Sequence, residues 1–197
     1  MIGTATQTMN VNYFQNPVSV TRYYEGDSDP GPLYFQDGDD SIFGADISTV
    51  LYTNDKSKID HLMSLLSISD YQRLENELCM ESINVVSVGD IYFVHLEIEY
   101  INNRVMDYAL KNFLVVGSHY DDINVIELCV AREYKKTRKL PDNNKETYDE
   151  FFDFEGDPDM LEDAENSYDT IIEFHDYHGV TEQYINSILD DLIDVLK

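Results

Sequence analysis

Two histidines one helical turn apart, in the run His175-Asp176-Tyr177-His178, are the first residues whose types could do chemistry. Imidazoles at i and i+3 share a helix face, and Asp169 or Glu173 could add a carboxylate, a donor mixture that zinc and other transition ions accept. No glutamate stands between the histidines as a metalloprotease requires, and a histidine at a helix C-terminus is favoured by the helix dipole without any metal. A second grouping is Asp121 or Asp122 followed by Glu133-Tyr134-Lys135. An acid, then acid-x-Lys on the next strand, is the order in metal-dependent nucleases, where the lysine orients a water beside the ion. The pattern is short, and a net charge of −26 repels a polyanionic substrate. Asp37-Gly38-Asp39-Asp40-Ser41 and Asp153-Phe154-Glu155-Gly156-Asp157 are dense in oxygen ligands for calcium. Both fail the EF-hand template, which needs a central glycine and a closing glutamate.

Other chemistries lack material. There is no G-x-S-x-G, no glycine-rich phosphate loop and no C-x-x-C. Cys79 and Cys129 lie far apart in apolar surroundings and read as buried thiols of a reducing cytoplasm. No metal, cofactor or catalytic residue is assigned, and a non-enzymatic protein is expected.

The acids themselves are the strongest signal. The chain has 39 Asp or Glu against 13 Lys or Arg. Residues 1–145 hold 22 acids and 12 bases, for a net of −10, whereas residues 146–197 hold 17 acids and one base, for a net of −16. Asp159, Glu162, Asp163, Asp169, Glu173 and Asp176 form a near-continuous stripe with no base between them, preceded by Asp149, Glu150, Asp153 and Glu155. Like charges at i,i+4 cost about 0.2–0.5 kcal/mol per pair. Asp190, Asp191 and Asp194 sit where the end of a last helix disfavours negative charge by about 0.3–1 kcal/mol. Selection for solubility alone would mix the signs. These thirteen carboxylates are therefore the expected partner-binding residues.

Carboxylates one helical turn apart are spaced by about 5.4 Å, an interval comparable to that of phosphates along a nucleic-acid strand. In composition, residues 146–197 resemble nucleic-acid-mimic inhibitors. The resemblance implies a basic DNA- or RNA-binding protein as partner, occluded in the manner of a phage counter-defence protein. An immunity protein or antitoxin against a basic nuclease toxin uses the same electrostatics and is the first alternative. A small metal-dependent hydrolase or nuclease is the second. Tyr148, Phe151, Phe152, Phe154 and Tyr168 either anchor such a partner or pack the last helices. Direct contact with nucleic acid or anionic lipid is disfavoured, because phosphate contacts need a basic face. No apolar run approaches the roughly 18 residues of a membrane span. The segment Met1–Met9 lacks the features of a secretory signal, so a cytoplasmic location is expected.

The elements that must position these groups follow from periodicity. The first ten residues are polar and expected to be loose, Val18–Tyr24 reads as a strand, and 25–46 is a long acidic loop with a short strand at Leu33–Phe35. Ile47–Thr53 is a further strand. A helix capped by Asn54 or Asp55 carries Ile59, Leu62, Met63 and Leu66, and a second opens with a capping box at Ser69–Gln72. Four consecutive strands are expected next: Ile83–Val88, Ile91–Ile101 with Glu97 and Glu99 on its solvated side, Met106–Val116 after a turn at Asn102-Asn103, and Val125–Tyr134. Pro158 starts a helix that Gly179 ends, and Thr181 caps a last helix whose Ile185, Ile188, Leu189, Leu192 and Leu196 are core or a homodimer seam. The expected class is α+β: an antiparallel meander packed by helices, with an acidic C-terminal helical pair. Residues 1–140 form the core domain and 141–197 an acidic segment packed on it as one compact unit.

Overall fold

A computed structural model describes residues 1–10, 16–27, 49–78, 83–116, 125–139 and 158–196. The fold is α+β. Strands β1 (Ile2–Met9), β2 (Val18–Glu25) and β3 (Val50–Thr53) precede helices α1 (Lys56–Leu65) and α2 (Ile68–Leu78). Then come β4 (Ile83–Val88), β5 (Ile91–His95), a 3-10 turn at Ile98–Tyr100, α3 (Asn103–Asn112) and β6 (Leu114–Val116). Helix α4 (Val125–Thr137) and the C-terminal pair α5 (Pro158–Tyr177) and α6 (Glu182–Leu196) complete the described elements. The strands form one open antiparallel sheet in the order β1-β2-β4-β5-β3-β6.

Helices cover the sheet on both sides. Leu51, Ile83, Val85, Val94 and Val115 pack with Ile59 and Leu62 of α1, Tyr71 and Leu74 of α2, and Val105 and Ala109 of α3. Val18, Val20, Tyr52, Val86, Val88, Ile91, Phe93 and Leu114 face the other way, onto α4, α5 and α6. A strand buried on both faces has no polar side to alternate with, which is why β4 reads Ile-Asn-Val-Val-Ser-Val. Ile185, Ile188, Leu189, Leu192 and Ile193 all join the second cluster, so the apolar stripe of α6 is core rather than a dimer seam.

Local signals set the helix ends. Asp55 caps α1, accepting from Ser57 N at 2.9 Å. The box that opens α2 is Ser67 with Asp70, two residues before the expected Ser69–Gln72: Ser67 N donates to Asp70 Oδ2 at 2.7 Å and Asp70 N returns to Ser67 Oγ at 3.3 Å. Gly179 ends α5 at φ 77° with its N–H on Asp176 O, and Val180 N–H reaches His175 O, the paired bonds of a left-handed helix stop. Thr181 caps α6.

Four expectations about strands are corrected. Residues 2–9 are not loose but form β1, because Thr4, Thr6 and Thr8 are β-branched and their row bonds across to β2: Thr6 to Thr21 at 3.0 Å, Thr8 to Ser19 at 2.8 Å. The strand expected over 91–101 stops at His95; Glu97 is not solvated but buried, accepting from Thr49 Oγ1 at 3.1 Å. Asn102 is a helix cap rather than a turn, accepting from Arg104 N and Val105 N, and it launches α3 instead of a strand through Met106–Leu110. Residues 125–134 belong to helix α4. There the consecutive buried residues Leu128, Cys129, Val130 and Ala131 form an apolar run that periodicity cannot assign to strand or helix. Leu33–Phe35 and positions 47 and 48 lie outside the described residues.

Candidate interaction surface

Helix α5 turns Ala164, Tyr168, Ile171 and His175 onto the sheet. A helical period then places Glu162, Asp169, Glu173 and Asp176 on the opposite side, and all four are exposed. From Glu162 to Asp176 the row extends about 21 Å along the helix. Asp163 is exposed to one side of it. Asp159 is the second residue of the same helix, while Asp149, Glu150, Asp153 and Glu155 lie outside the described residues.

The basic cluster of α4 accounts for two of the expected carboxylates. Lys135 pairs with Asp169 and lies 4.3 Å from the centre of the Tyr168 ring. Arg132 and Lys136 reach Asp190 of α6 at 3.3 and 3.4 Å. Both acids were expected to lack counterions within the chain. They have them because α4 is a helix whose successive turns point Arg132, Lys135 and Lys136 toward its two neighbours. Asp169 keeps 63% of its side chain exposed, so its pair contributes only about 0–1 kcal/mol. Among the described residues no cation lies within ion-pair distance of Glu162, Asp163, Glu173, Asp176 or Asp194.

A second acidic locus was not foreseen. Asp191 and Asp194, on the outer side of α6, border a cleft of about 770 Å³ together with Asp55 at the start of α1, Asp90 in the β4–β5 turn, Asn16 and Asn54. Asn54 Nδ2 donates to Asp191 Oδ2 at 2.7 Å. The hydroxyl and N–H of Ser57 both donate to Asp55 and hold its carboxyl below the usual range, so it stays charged. Among the described residues Lys56 is the one cation on the cleft wall, and it is paired with Asp60 at 3.1 Å. These acids meet only through the fold. Nothing local in the sequence joins Asp55 and Asp90 to Asp191.

The groups considered for metal chemistry are placed differently from expectation. His175 is fully buried, with Nε2 at 2.9 Å from Val115 N and 3.1 Å from Val115 O, so the ring seals the outer edge of β6. Burial lowers its pKa, the Val115 backbone opposing and His178 adding to the effect. His178 meets the Phe174 ring at a tilt and the Tyr177 ring edge to face. Glu133 and Lys135 stand on a helix, not the strand that the nuclease pattern requires, and Asp121 and Asp122 lie outside the described residues. The two calcium-like stretches and Cys79 lie outside them too. Among the described residues no three His, Cys, Asp or Glu side chains converge to hold a metal ion. Cys129 is buried, and burial pushes its thiol pKa up, away from reactivity. Tyr168 is core: its hydroxyl donates to Asn186 Oδ1 at 2.6 Å, while Tyr148, Phe151, Phe152 and Phe154 lie outside the described residues.

No helix among the described residues is long and apolar enough to cross a membrane. Compared with protein-family models, curated proteins and solved structures, the chain has no match.

Proposed function

We propose that the protein is a non-enzymatic acidic inhibitor that occupies the cationic cleft of a DNA- or RNA-binding protein, in the way a phage counter-defence protein would. The observation that carries this reading is the outer face of α5. Among the described residues, only Asp169 of its four aligned carboxylates has a cation beside it, and Glu162, Glu173 and Asp176 stand exposed without one. The acids around the cleft at Asp191 and Asp194 extend the same chemistry to a second locus. A helix-borne row is rigid and keeps its spacing, which suits it to replace a phosphate backbone. Charge of one sign also steers a basic partner and makes binding steeply salt-dependent.

The test leaves α4 untouched. Combining Glu162→Gln, Glu173→Gln and Asp176→Asn removes three charges while keeping the ion pairs at Asp169 and Asp190. Immobilised parent protein should capture basic nucleic-acid-binding proteins from lysate at low salt, and both duplex DNA and raised salt should release them. The triple variant should lose that capture with its thermal melt unchanged. Capture that survives the substitutions, or that DNA does not displace, refutes the mimic. Release by salt but not by DNA, from a single nuclease, is the result an immunity protein would give.

A further inference from the structure

The two edges of the sheet are treated differently. Because Gly26 N–H donates to Met1 O, the odd-numbered residues of β1 turn their backbone groups toward β2. The N–H and C=O groups of Ile2, Thr4, Thr6 and Thr8 therefore point outward. The alternation runs across the sheet, through Leu96 N–H on Thr49 O, to the far edge at Val115. There the strand is three residues long, and the buried His175 ring covers its outer side, with Nε2 bonded to one of the two outward groups of Val115. At β1 the strand is eight residues long, and nothing among the described residues pairs with its outer side. It carries none of the usual guards of an edge: no lysine, no proline and no charge of any kind in Ile-Gly-Thr-Ala-Thr-Gln-Thr-Met.

We infer that a second copy of the chain adds to this edge, β1 against β1, as an antiparallel pair with its two-fold axis at Ala5. Only an antiparallel register whose paired numbers sum to an even value matches outward groups with outward groups. With the axis at Ala5, Thr4 faces the partner subunit's Thr6 and Ile2 faces the partner subunit's Thr8. Every outward group of the segment is then satisfied, in about eight hydrogen bonds. The threonine row that already bonds to β2 continues across the join. On the opposite face Ala5 meets the partner subunit's Ala5, small side chains where a non-hydrogen-bonded pair brings strands closest. An uncharged strand is also the part of a −26 chain where two copies meet with least repulsion.

The experiment is sedimentation of the full chain from micromolar to near-millimolar concentration at low and high salt. Dimerisation should strengthen with salt, as screening relieves repulsion between two acidic copies. Capture of a basic partner should weaken with salt, so the two readings fail separately. Thr6→Pro deletes an outward N–H that β2 does not use and should weaken the dimer by at least about tenfold. If circular dichroism finds that variant unfolded, Thr4→Glu with Thr6→Glu keeps every backbone donor and sets like charges opposite each other. Ala5→Cys should form a disulfide-linked dimer on oxidation, because residues so paired stand about 4.5 Å apart at Cα. Thr8→Cys should cross-link no faster than the parent. A chain that stays monomeric at high salt and high concentration overturns the inference. So does a dimer indifferent to both edge variants, or cross-linking equal at positions 5 and 8. A monomer in which Thr6→Pro abolishes capture of a basic protein would assign the edge to a foreign strand instead.

Discussion

The two helical layers do the same structural work under opposite charge rules. Helices α1, α2 and α3 cover one face of the sheet and carry five bases and five acids. Helices α5 and α6, on the other face, carry eleven acids and no lysine or arginine. Both layers bury apolar stripes of ordinary composition. Covering a sheet therefore does not call for charge of one sign, and the acids of α5 and α6 are a property of the outer surface rather than of the fold. Helix α4 marks the boundary between the two uses, because its cations reach Asp169 and Asp190 and leave the outermost carboxylates alone.

The comparison breaks most visibly if the two layers are not equally structural. Leu62→Ala in α1 and Ile188→Ala in α6 remove side chains buried to about the same extent, and each should lower the unfolding free energy by about 2–5 kcal/mol. Urea titration checks this; a much smaller loss at Ile188 would mean that the acidic layer is peripheral to the cooperative unit.

Acid sensitivity should belong to the α4–α6 side. His95 lies on the face of β5 shared with Phe93, fully desolvated, and burial pulls its pKa down to about 4. The unfolded chain protonates this ring below about pH 6.5, whereas the folded chain resists until about 4. Stability is therefore complete above that window and falls through it on acidification, by about 3 kcal/mol from His95 alone. His175 adds in the same direction. His95→Leu should flatten the dependence of denaturation midpoint on pH between those limits. An unchanged slope would place the titrating group elsewhere.

The smallest effect separates carboxylates within one helix. Asp190→Asn loses the contacts to Arg132 and Lys136 and should destabilise by about 0.5–1 kcal/mol. Asp194→Asn removes a charge near the end of α6 that has no cation beside it among the described residues, and should be neutral or stabilising by about 0.3–1 kcal/mol at low ionic strength. Thermal melts at low and high salt would sharpen the division, since both differences should shrink as salt rises; equal signs at the two positions would erase it.

The elements that sequence announced are those with local punctuation. Asp55, Gly89-Asp90, Pro158, Gly179 and Thr181 each mark a start, turn or stop through a conformation or a hydrogen bond made within a few residues. Helices α3 and α4 were hidden for different reasons. Met106, Tyr108 and Leu110 alternate like a strand while Val105 and Ala109 supply the buried helical contacts. Residues 128–131 are apolar without a period, because the sheet and two helices surround them. Strand β1 was hidden because its partner supplies what it lacks: threonine reads as polar until serine and threonine on β2 meet it. The row on α5 was legible because one helix presents all of it. Pairing of Asp169 and Asp190 with α4, and the meeting of Asp55, Asp90, Asp191 and Asp194, depend on contacts across more than thirty residues.

The strand order carries a consequence for biosynthesis. Strand β2 ends at Glu25, yet its inner neighbour is β4, whose register sets Val18 against Val88. At about 5–20 residues per second, a ribosome takes on the order of 3 to 13 s to extend the nascent polypeptide between those points. For that interval the first two strands can complete neither side of their ribbon. A trigger for premature self-association is thus exposed early, well before the acidic helices α5 and α6 emerge.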